Sequence, residues 1–222
     1  MILNTKNSSG SVSSLLGMRY FFFLLVLCSL PIPAFSRPLL EAKMGYFFFT
    51  NSCMRKVYNR GGFDGQLSFS YPIFDKLRPY PIYGHIPYDL HFYASVEFLE
   101  RWGRSRGVHQ KTSFWEIPLS VGFKPVLDLG SHVKYYFAVG PRYFFARAHN
   151  HSSYVPNVMN ANGLGGFINT GFFFILGAHC TIDLFGEYSY GKLHFHSSQK
   201  NTKGHTTQIG GLTFGGGLGY CF

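Results

Sequence analysis

The sequence predicts an all-β chain, an eight-stranded antiparallel up-and-down transmembrane β-barrel, and three observations lead there. Apolar and polar residues alternate with period two in segments of about ten residues, the pattern of strands with one apolar face. Of 222 residues, 19% are aromatic and only 14% charged, whereas soluble domains carry about 25% charged residues. After residue 36 no apolar run reaches the roughly 18 residues that a membrane-crossing helix needs. Together these features exclude a disordered chain, a helical membrane protein and an ordinary cytosolic domain.

The first element is a leader. Residues 1–36 read as an N-terminal extension and signal peptide, because Arg19 precedes the apolar run Tyr20 to Leu30, which Pro31, Pro33 and Ala34-Phe35-Ser36 follow. Met18, directly before Arg19, is the alternative start. The bulky Leu27 before Cys28 argues against a lipoprotein. Removing the leader takes Lys6 and Arg19 and no carboxylate, so the formal charge falls by two from +10. Residues 37–222 are then the barrel domain.

Alternation places strands at about 40–50, 63–74, 88–101, 112–124, 133–147, 163–176, 181–195 and 206–222. In the third, Leu90, Phe92, Ala94, Val96 and Phe98 oppose Asp89, His91, Tyr93, Ser95 and Glu97. The fourth is the clearest: Trp115, Ile117, Leu119, Val121 and Phe123 share one face, with Glu116, Pro118, Ser120, Gly122 and Lys124 on the other. In the fifth, Val133, Tyr135, Phe137, Val139, Tyr143 and Phe145 oppose Lys134, Tyr136, Ala138, Gly140, Arg142 and Ala146. The seventh sets Ile182, Leu184, Tyr188 and Tyr190 against Asp183, Phe185, Glu187 and Ser189. In the eighth, Leu212, Phe214, Leu218, Tyr220 and Phe222 oppose a face rich in glycine.

Side-chain size decides which face points inward. An eight-stranded interior is narrow, too narrow for so many large apolar residues, so the small and polar face fills it and the apolar face turns to lipid. A soluble lipocalin-like barrel would need the reverse. Tyr46, Tyr71, Trp102, Trp115, Tyr135, Tyr143, Tyr188 and Tyr220 lie near strand ends, at headgroup level. Pro72, Pro118 and Pro141 each remove a ladder donor, which predicts bulges.

The segments Ile117-Pro-Leu-Ser-Val-Gly-Phe123, Tyr136-Phe-Ala-Val-Gly-Pro-Arg142, Leu184-Phe-Gly-Glu-Tyr-Ser-Tyr190 and Gly217-Leu-Gly-Tyr-Cys-Phe222 resemble the small outer-membrane β-barrels of Gram-negative bacteria, the OmpA/OmpX-type and opacity-protein group. The resemblance implies location in the outer membrane. It also implies a C-terminal assembly signal, Leu218, Tyr220 and Phe222, read by the barrel assembly machinery. The stretch from Phe74 to Pro87, with Pro79 and Pro81, is long for a periplasmic turn of that family. With the amino terminus in the periplasm, parity puts 51–62, 102–111, 148–162 and 196–205 outside the cell.

The inward face carries Lys43, His91, Glu97, Glu116, Lys124, Lys134, Arg142, Asp183 and Glu187, which should pair into an ionic plug, with Arg142 near Glu97, Glu116 or Glu187. Exchange of partners in that network would instead make a narrow porin-like channel for small solutes. The outer loops and strand tops are basic: Arg55, Lys56, Arg60, Arg101, Arg104, Arg106, Lys111, Arg147, Lys192, Lys200 and Lys203 against Asp64 and Glu100. Such a field attracts polyanions, either lipopolysaccharide at the rim or anionic host glycans beyond it, which predicts a structural or adhesive surface protein. The secretion signal disfavours nucleic acid, and a monomer is expected.

His109, His149, His151, His194, His196 and His205 gather on the same side, but without metal-ligand spacing, so no metal or other cofactor is assigned. His196-Ser197-Ser198 resembles the His-x-Ser of lipid A deacylases, yet no carboxylate follows Glu187 to orient the base; no catalytic residue and no enzyme activity is assigned. Of the cysteines, Cys180 and Cys221 fall at the periplasmic end, where a disulfide is one expectation, and Cys53 lies outside, open to intermolecular crosslinking.

Overall fold

The computed structural model describes residues 37–58, 61–77, 88–104, 110–150, 158–177, 179–197 and 205–222. The expected leader and the proline-rich stretch 78–87 lie outside them. Eight strands run β1 (Leu39–Phe49), β2 (Gly61–Leu77), β3 (Tyr88–Arg104), β4 (Lys111–Asp128), β5 (Val133–Asn150), β6 (Val158–Leu176), β7 (Cys180–Ser197) and β8 (His205–Cys221), with one short helix, α1 (Ser52–Val57), between β1 and β2. Each strand pairs antiparallel with its neighbour in sequence, and β8 closes on β1. The end at which β1 stops is called the upper end.

The register fixes the tilt. Paired Cα atoms lead from Phe48 through Leu212, Tyr188, Ile168, Val139, Phe123 and Phe92 to Tyr71. Tyr71 is one residue past Ser70, the partner of Leu39, so the path returns to β1 ten residues below its start. At about 3.3 Å per residue and 4.8 Å per strand, that stagger corresponds to a tilt of roughly 40°. Strands of 17 to 19 residues then rise on the order of 45 Å, well beyond the apolar band of ~25 Å that a barrel needs.

The outward face shows where the band lies. Leu40, Met44, Phe48, Phe63, Leu67, Phe69, Val96, Phe98, Leu119, Val121, Phe123, Leu164, Ile168, Leu184, Leu212, Phe214 and Leu218 are all exposed. Above them the outward positions turn polar: Arg147, His149, Asn160, Asn162, Lys192, His194, Thr206 and Gln208. The strands outrun the apolar-out alternation because there the outward face is polar while the inward neighbours Ala146, Ala148, Ala161, Leu193 and Ile209 stay buried, and the ladder hydrogen bonds continue. Among the described residues no helix is long and apolar enough to cross a membrane.

The bulge expected at Pro72 is present, with register shifts between Pro72 and Phe74 and between Phe74 and Leu77. At Pro118 and Pro141 the register runs through unbroken (Pro118 opposite Phe144, Pro141 opposite Gly166); the ladder absorbs the missing donors without an inserted residue. Gly177 holds a φ of 72° in the β6–β7 turn, a left-handed conformation that glycine adopts without strain.

The interior departs from the size argument. Phe47, Phe49, Tyr93, Phe114, Tyr136, Phe144, Phe167, Phe173 and Phe185 are all buried inside the barrel. Inward glycines make the room. A Cβ on Gly191 would strike the Phe144 ring, one on Gly211 the Phe47 ring, and one on Gly171 the Tyr136 hydroxyl. On β8 itself Gly211 makes room for a ring, while a Cβ on Gly217 would meet Lys43 and one on Gly219 Thr181 and Leu39.

Candidate functional site

Three layers fill the barrel. In the lower half Lys43 and Lys124 meet Glu41 and Asp183. Lys43 Nζ lies 2.6 Å from Asp183 Oδ2 and 3.0 Å from Glu41 Oε1, and Lys124 Nζ lies 2.7 Å from Glu41 Oε2. Ser68 donates to Glu41, and the Tyr136 hydroxyl donates to Asp183 at 2.9 Å. The Lys124 ammonium also sits 4.3 Å from the Tyr136 ring centroid and 4.4 Å from that of Phe173, a favourable placement over aromatic faces. Two cations face two anions, so this layer is formally neutral.

In the middle layer Arg142 bridges two carboxylates. Its Nη2 lies 2.5 Å from Glu97 Oε1 and 2.6 Å from Glu187 Oε1, its Nη1 donates to Glu97 Oε2 at 3.1 Å, and its Nε donates to Ser120 Oγ at 2.7 Å. Gln66 donates to both carboxylates, and Asn169 donates to Glu187. Buried charges need this density of hydrogen bonds to offset their lost hydration.

The upper layer is apolar. Phe47, Phe49, Leu99, Phe114, Phe144, Leu193 and Ile209 pack with Met54 and Tyr58, which reach in from α1 and its C-terminal end. Asn51 caps that helix by accepting from the Cys53 amide at 2.8 Å, and its Nδ2 donates to Gln208 O at 2.7 Å, tying α1 to β8. Tyr58 shares a hydrogen bond with Thr112; burial pushes its phenol pKa up despite that contact.

Of the nine residues expected inside, Lys43, Glu97, Lys124, Arg142, Asp183 and Glu187 meet in these two networks. Glu116 is buried on the same face, but its Oε2 has no hydrogen-bond partner among the described residues. His91 sits half-buried near the lower end. Lys134 is a correction: it lies at the lower mouth, 29% exposed, and pairs at 2.8 Å with Asp128, because the inward face at a strand end opens to water. Glu41 was legible and missed; it stands two residues before Lys43, on the same face.

The basic surface is also amended. Arg55, Lys56, Arg104, Lys111 and Lys192 are exposed, and Arg147 is half-buried. Arg101 instead points into the barrel, 6% exposed, donating to the Phe63 and Glu100 carbonyls, because its position in β3 shares the parity of Glu97. Arg60, Arg106, Lys200 and Lys203 lie outside the described residues, as do His109, His151 and the side chains of His196 and His205. Among the described residues no His, Cys, Asp and Glu cluster suits a metal.

The expected Cys180–Cys221 disulfide is absent: both are free thiols, as is Cys53. Cys180 pairs in register with Tyr220, so the next residue, Cys221, points to the opposite face of the sheet. The terminal residues are ordered: Phe222 N donates to Pro38 O, and Tyr220 stacks on His179.

A closed antiparallel ring, an apolar outer band with aromatic borders and a polar interior define the class: an eight-stranded transmembrane β-barrel of the outer-membrane type. No protein family and no curated protein sequence matches the chain. One solved structure with a similar course is Neisserial surface protein A (16% identity, 84% of this chain and 96% of that chain, TM-score 0.47). Two more are the attachment invasion locus protein Ail of Yersinia pestis in complex with the heparin analogue sucrose octasulfate (16% identity, 84% and 97%, TM-score 0.47) and a major outer membrane protein from Thermus thermophilus (14% identity, 85% and 100%, TM-score 0.48).

Proposed function

We propose that the chain is a monomeric surface protein of the outer membrane, with a plugged interior, whose basic upper end binds anionic glycans or lipopolysaccharide in a structural or adhesive role. The observation that carries this reading is the charge set on the upper strands. Arg104 and Lys111 stand directly opposite each other on β3 and β4, and Arg147 and Lys192 add cations on β5 and β7. Among the described outward-facing residues of the upper end, Glu100 is the one carboxylate. Like charges directly opposite are unfavourable in a sheet, so a sulfate or phosphate between Arg104 and Lys111 relieves repulsion as well as gaining attraction. Leu218 and Tyr220, on the outward face of β8, and Phe222 just past its end serve as the assembly signal.

The test is retention of the refolded barrel on immobilised heparin and on lipopolysaccharide. Retention should be strong at low salt and lost near 1 M salt, where the Debye length is about 3 Å. Arg104→Ala with Lys111→Ala should weaken it tenfold or more. Retention indifferent to salt, or to the double substitution, refutes the reading.

A further inference from the structure

The outer wall is not evenly filled. On the face made by β1 to β4 a hollow of about 480 Å³ opens outward, lined by Ala42, Gly65, Leu67, Val96, Phe98 and Ile117. These are the outward side chains; the remaining wall is backbone beside the inward-facing Lys43, Gln66 and Glu97. A Cβ added at Gly65 would meet nothing within 4 Å. At the other outward strand glycines a Cβ would meet an atom within 4 Å: Phe47 O and Tyr46 at Gly61, Gly140 O at Gly166, the Phe214 ring at Gly186, Ser189 O at Gly210, and Asp183 O and Leu184 at Gly216.

The hollow sits inside the apolar band, and its upper end is marked. The sequence has two tryptophans, and both stand over it. Glu100 faces Trp115 and Trp102 faces Ser113 across β3 and β4, so the two indoles are diagonal neighbours at the upper border. Ile117 lies two residues below Trp115; from there Phe98 faces Gly65, Val96 faces Leu67, and Leu67 faces Ala42. The path descends on the order of 15 Å, half of a hydrocarbon core about 30 Å thick.

We propose that this hollow is a seat for one lipid acyl chain of the upper leaflet, with Trp102 and Trp115 at the level of the chain's ester groups. The surroundings decide the occupant. Inside the band only apolar matter reaches the wall, and an empty hollow of this size forfeits the dispersion contacts of its lining. A neighbouring barrel presents a broad convex wall, whereas a single chain is narrow enough to follow the line from Ile117 to Ala42. Indole rings favour the headgroup boundary, where one edge is wet and the other apolar.

The full chain is reconstituted in phosphatidylcholine vesicles, extracted into mild detergent and weighed by native mass spectrometry. The neutral headgroup keeps the outcome separate from the polyanion reading. One phosphatidylcholine should stay with each wild-type barrel. Gly65→Leu starts from a Cβ position that is clear of other atoms, puts its side chain into the hollow and should cut the retained fraction at least fivefold; Leu67→Ala, which widens it, should keep the lipid. Wild type without lipid, equal retention in wild type and Gly65→Leu, or wild-type dimers that Gly65→Leu dissolves, overturns the proposal.

Discussion

Arg142→Met tests whether the middle layer holds the barrel together. The substitution keeps an unbranched apolar stem and deletes the guanidinium that contacts Glu97 at 2.5 Å, Glu187 at 2.6 Å and Ser120 at 2.7 Å. Two carboxylates are then left buried side by side, with only the amides of Gln66 and Asn169 as described donors. Removing one partner of a buried ion pair costs about 3–5 kcal/mol, most of it for stranding the other charge. A loss of about 4 kcal/mol, with an m-value of about 2 kcal/mol/M in urea, lowers the unfolding midpoint by about 2 M. The assay is reversible urea unfolding in phospholipid vesicles, followed by the fluorescence of Trp102 and Trp115. Replacing all three ionic partners together (Arg142→Met, Glu97→Gln, Glu187→Gln) should restore most of the loss, because no charge is then stranded. A midpoint within about 0.5 M of wild type for Arg142→Met alone, a change of about 1 kcal/mol on the same m-value, refutes the reasoning. Planar-bilayer conductance gives a second readout: Arg142→Ala should stay closed, since the apolar layer of Phe47, Phe144, Leu193 and Met54 remains above it.

Gly191→Leu drives a side chain into the Phe144 ring and should cost about 1–3 kcal/mol as overpacking; pairing it with Phe144→Ala should recover part of that in the same urea assay. Asn51→Ala removes a helix cap worth about 1 kcal/mol together with the bond to Gln208 O. Faster amide exchange at Cys53, with the strands below unchanged, is its signature in hydrogen-exchange mass spectrometry. Without reductant, the exposed Cys53 and Cys180 should react rapidly with an aqueous maleimide and the half-buried Cys221 slowly. A Cys180–Cys221 linked peptide in a non-reducing digest would contradict the free thiols seen here.

What the sequence revealed depended on whether a position's environment changes with period two. Within the lipid band the environment alternates between hydrocarbon and barrel interior, so all eight strands and their facing could be read from residues such as Trp115 to Lys124. Above the band the outward face is polar instead of apolar, so the pattern that marks the strands is lost, and β3, β5 and β6 run three or more residues past their expected upper ends. Parity was also enough to place Lys43, Glu97, Lys124, Arg142, Asp183 and Glu187 inside. It narrowed the partners of Arg142 to Glu97, Glu116 or Glu187, of which Glu97 and Glu187 pair with it, but it did not decide among them, because the ten-residue stagger sets that, and stagger comes from the register of all eight ladders. Arg101, the last residue of its expected strand, was counted with the outer basic surface although its parity already matched Glu97. Parity put Tyr93, Tyr136 and Phe185 inside, but the size argument left no room for as many as nine inward rings, because space inside a barrel is shared across strands: the glycines that accommodate Phe47 and Phe144 lie on β8 and on β6 and β7.

The height of the strands bears on how the upper end would bind the proposed polyanion. About ten tilted residues suffice to cross a bilayer, so roughly seven residues of each long strand project beyond it as hydrogen-bonded sheet. Arg104, Lys111, Arg147 and Lys192 belong to that sheet rather than to loops, and backbone pairing fixes their spacing: the Cα atoms of Arg104 and Lys111 face each other at about 4.5–5.5 Å. Attraction by net charge alone would be insensitive to where each cation sits, because a field summed over the surface changes little when one charge moves a few ångströms. Recognition by spacing would not be. Exchanging Lys111 with Ser113 (Lys111→Ser with Ser113→Lys) conserves charge and composition and keeps the residue on the outward face, but moves the cation from opposite Arg104 to opposite Trp102. If the paired cations form the anion seat, heparin retention should fall nearly as far as in the double alanine variant. Retention equal to wild type would mean that the upper end acts as a diffuse basic surface and that Arg104 and Lys111 form no seat.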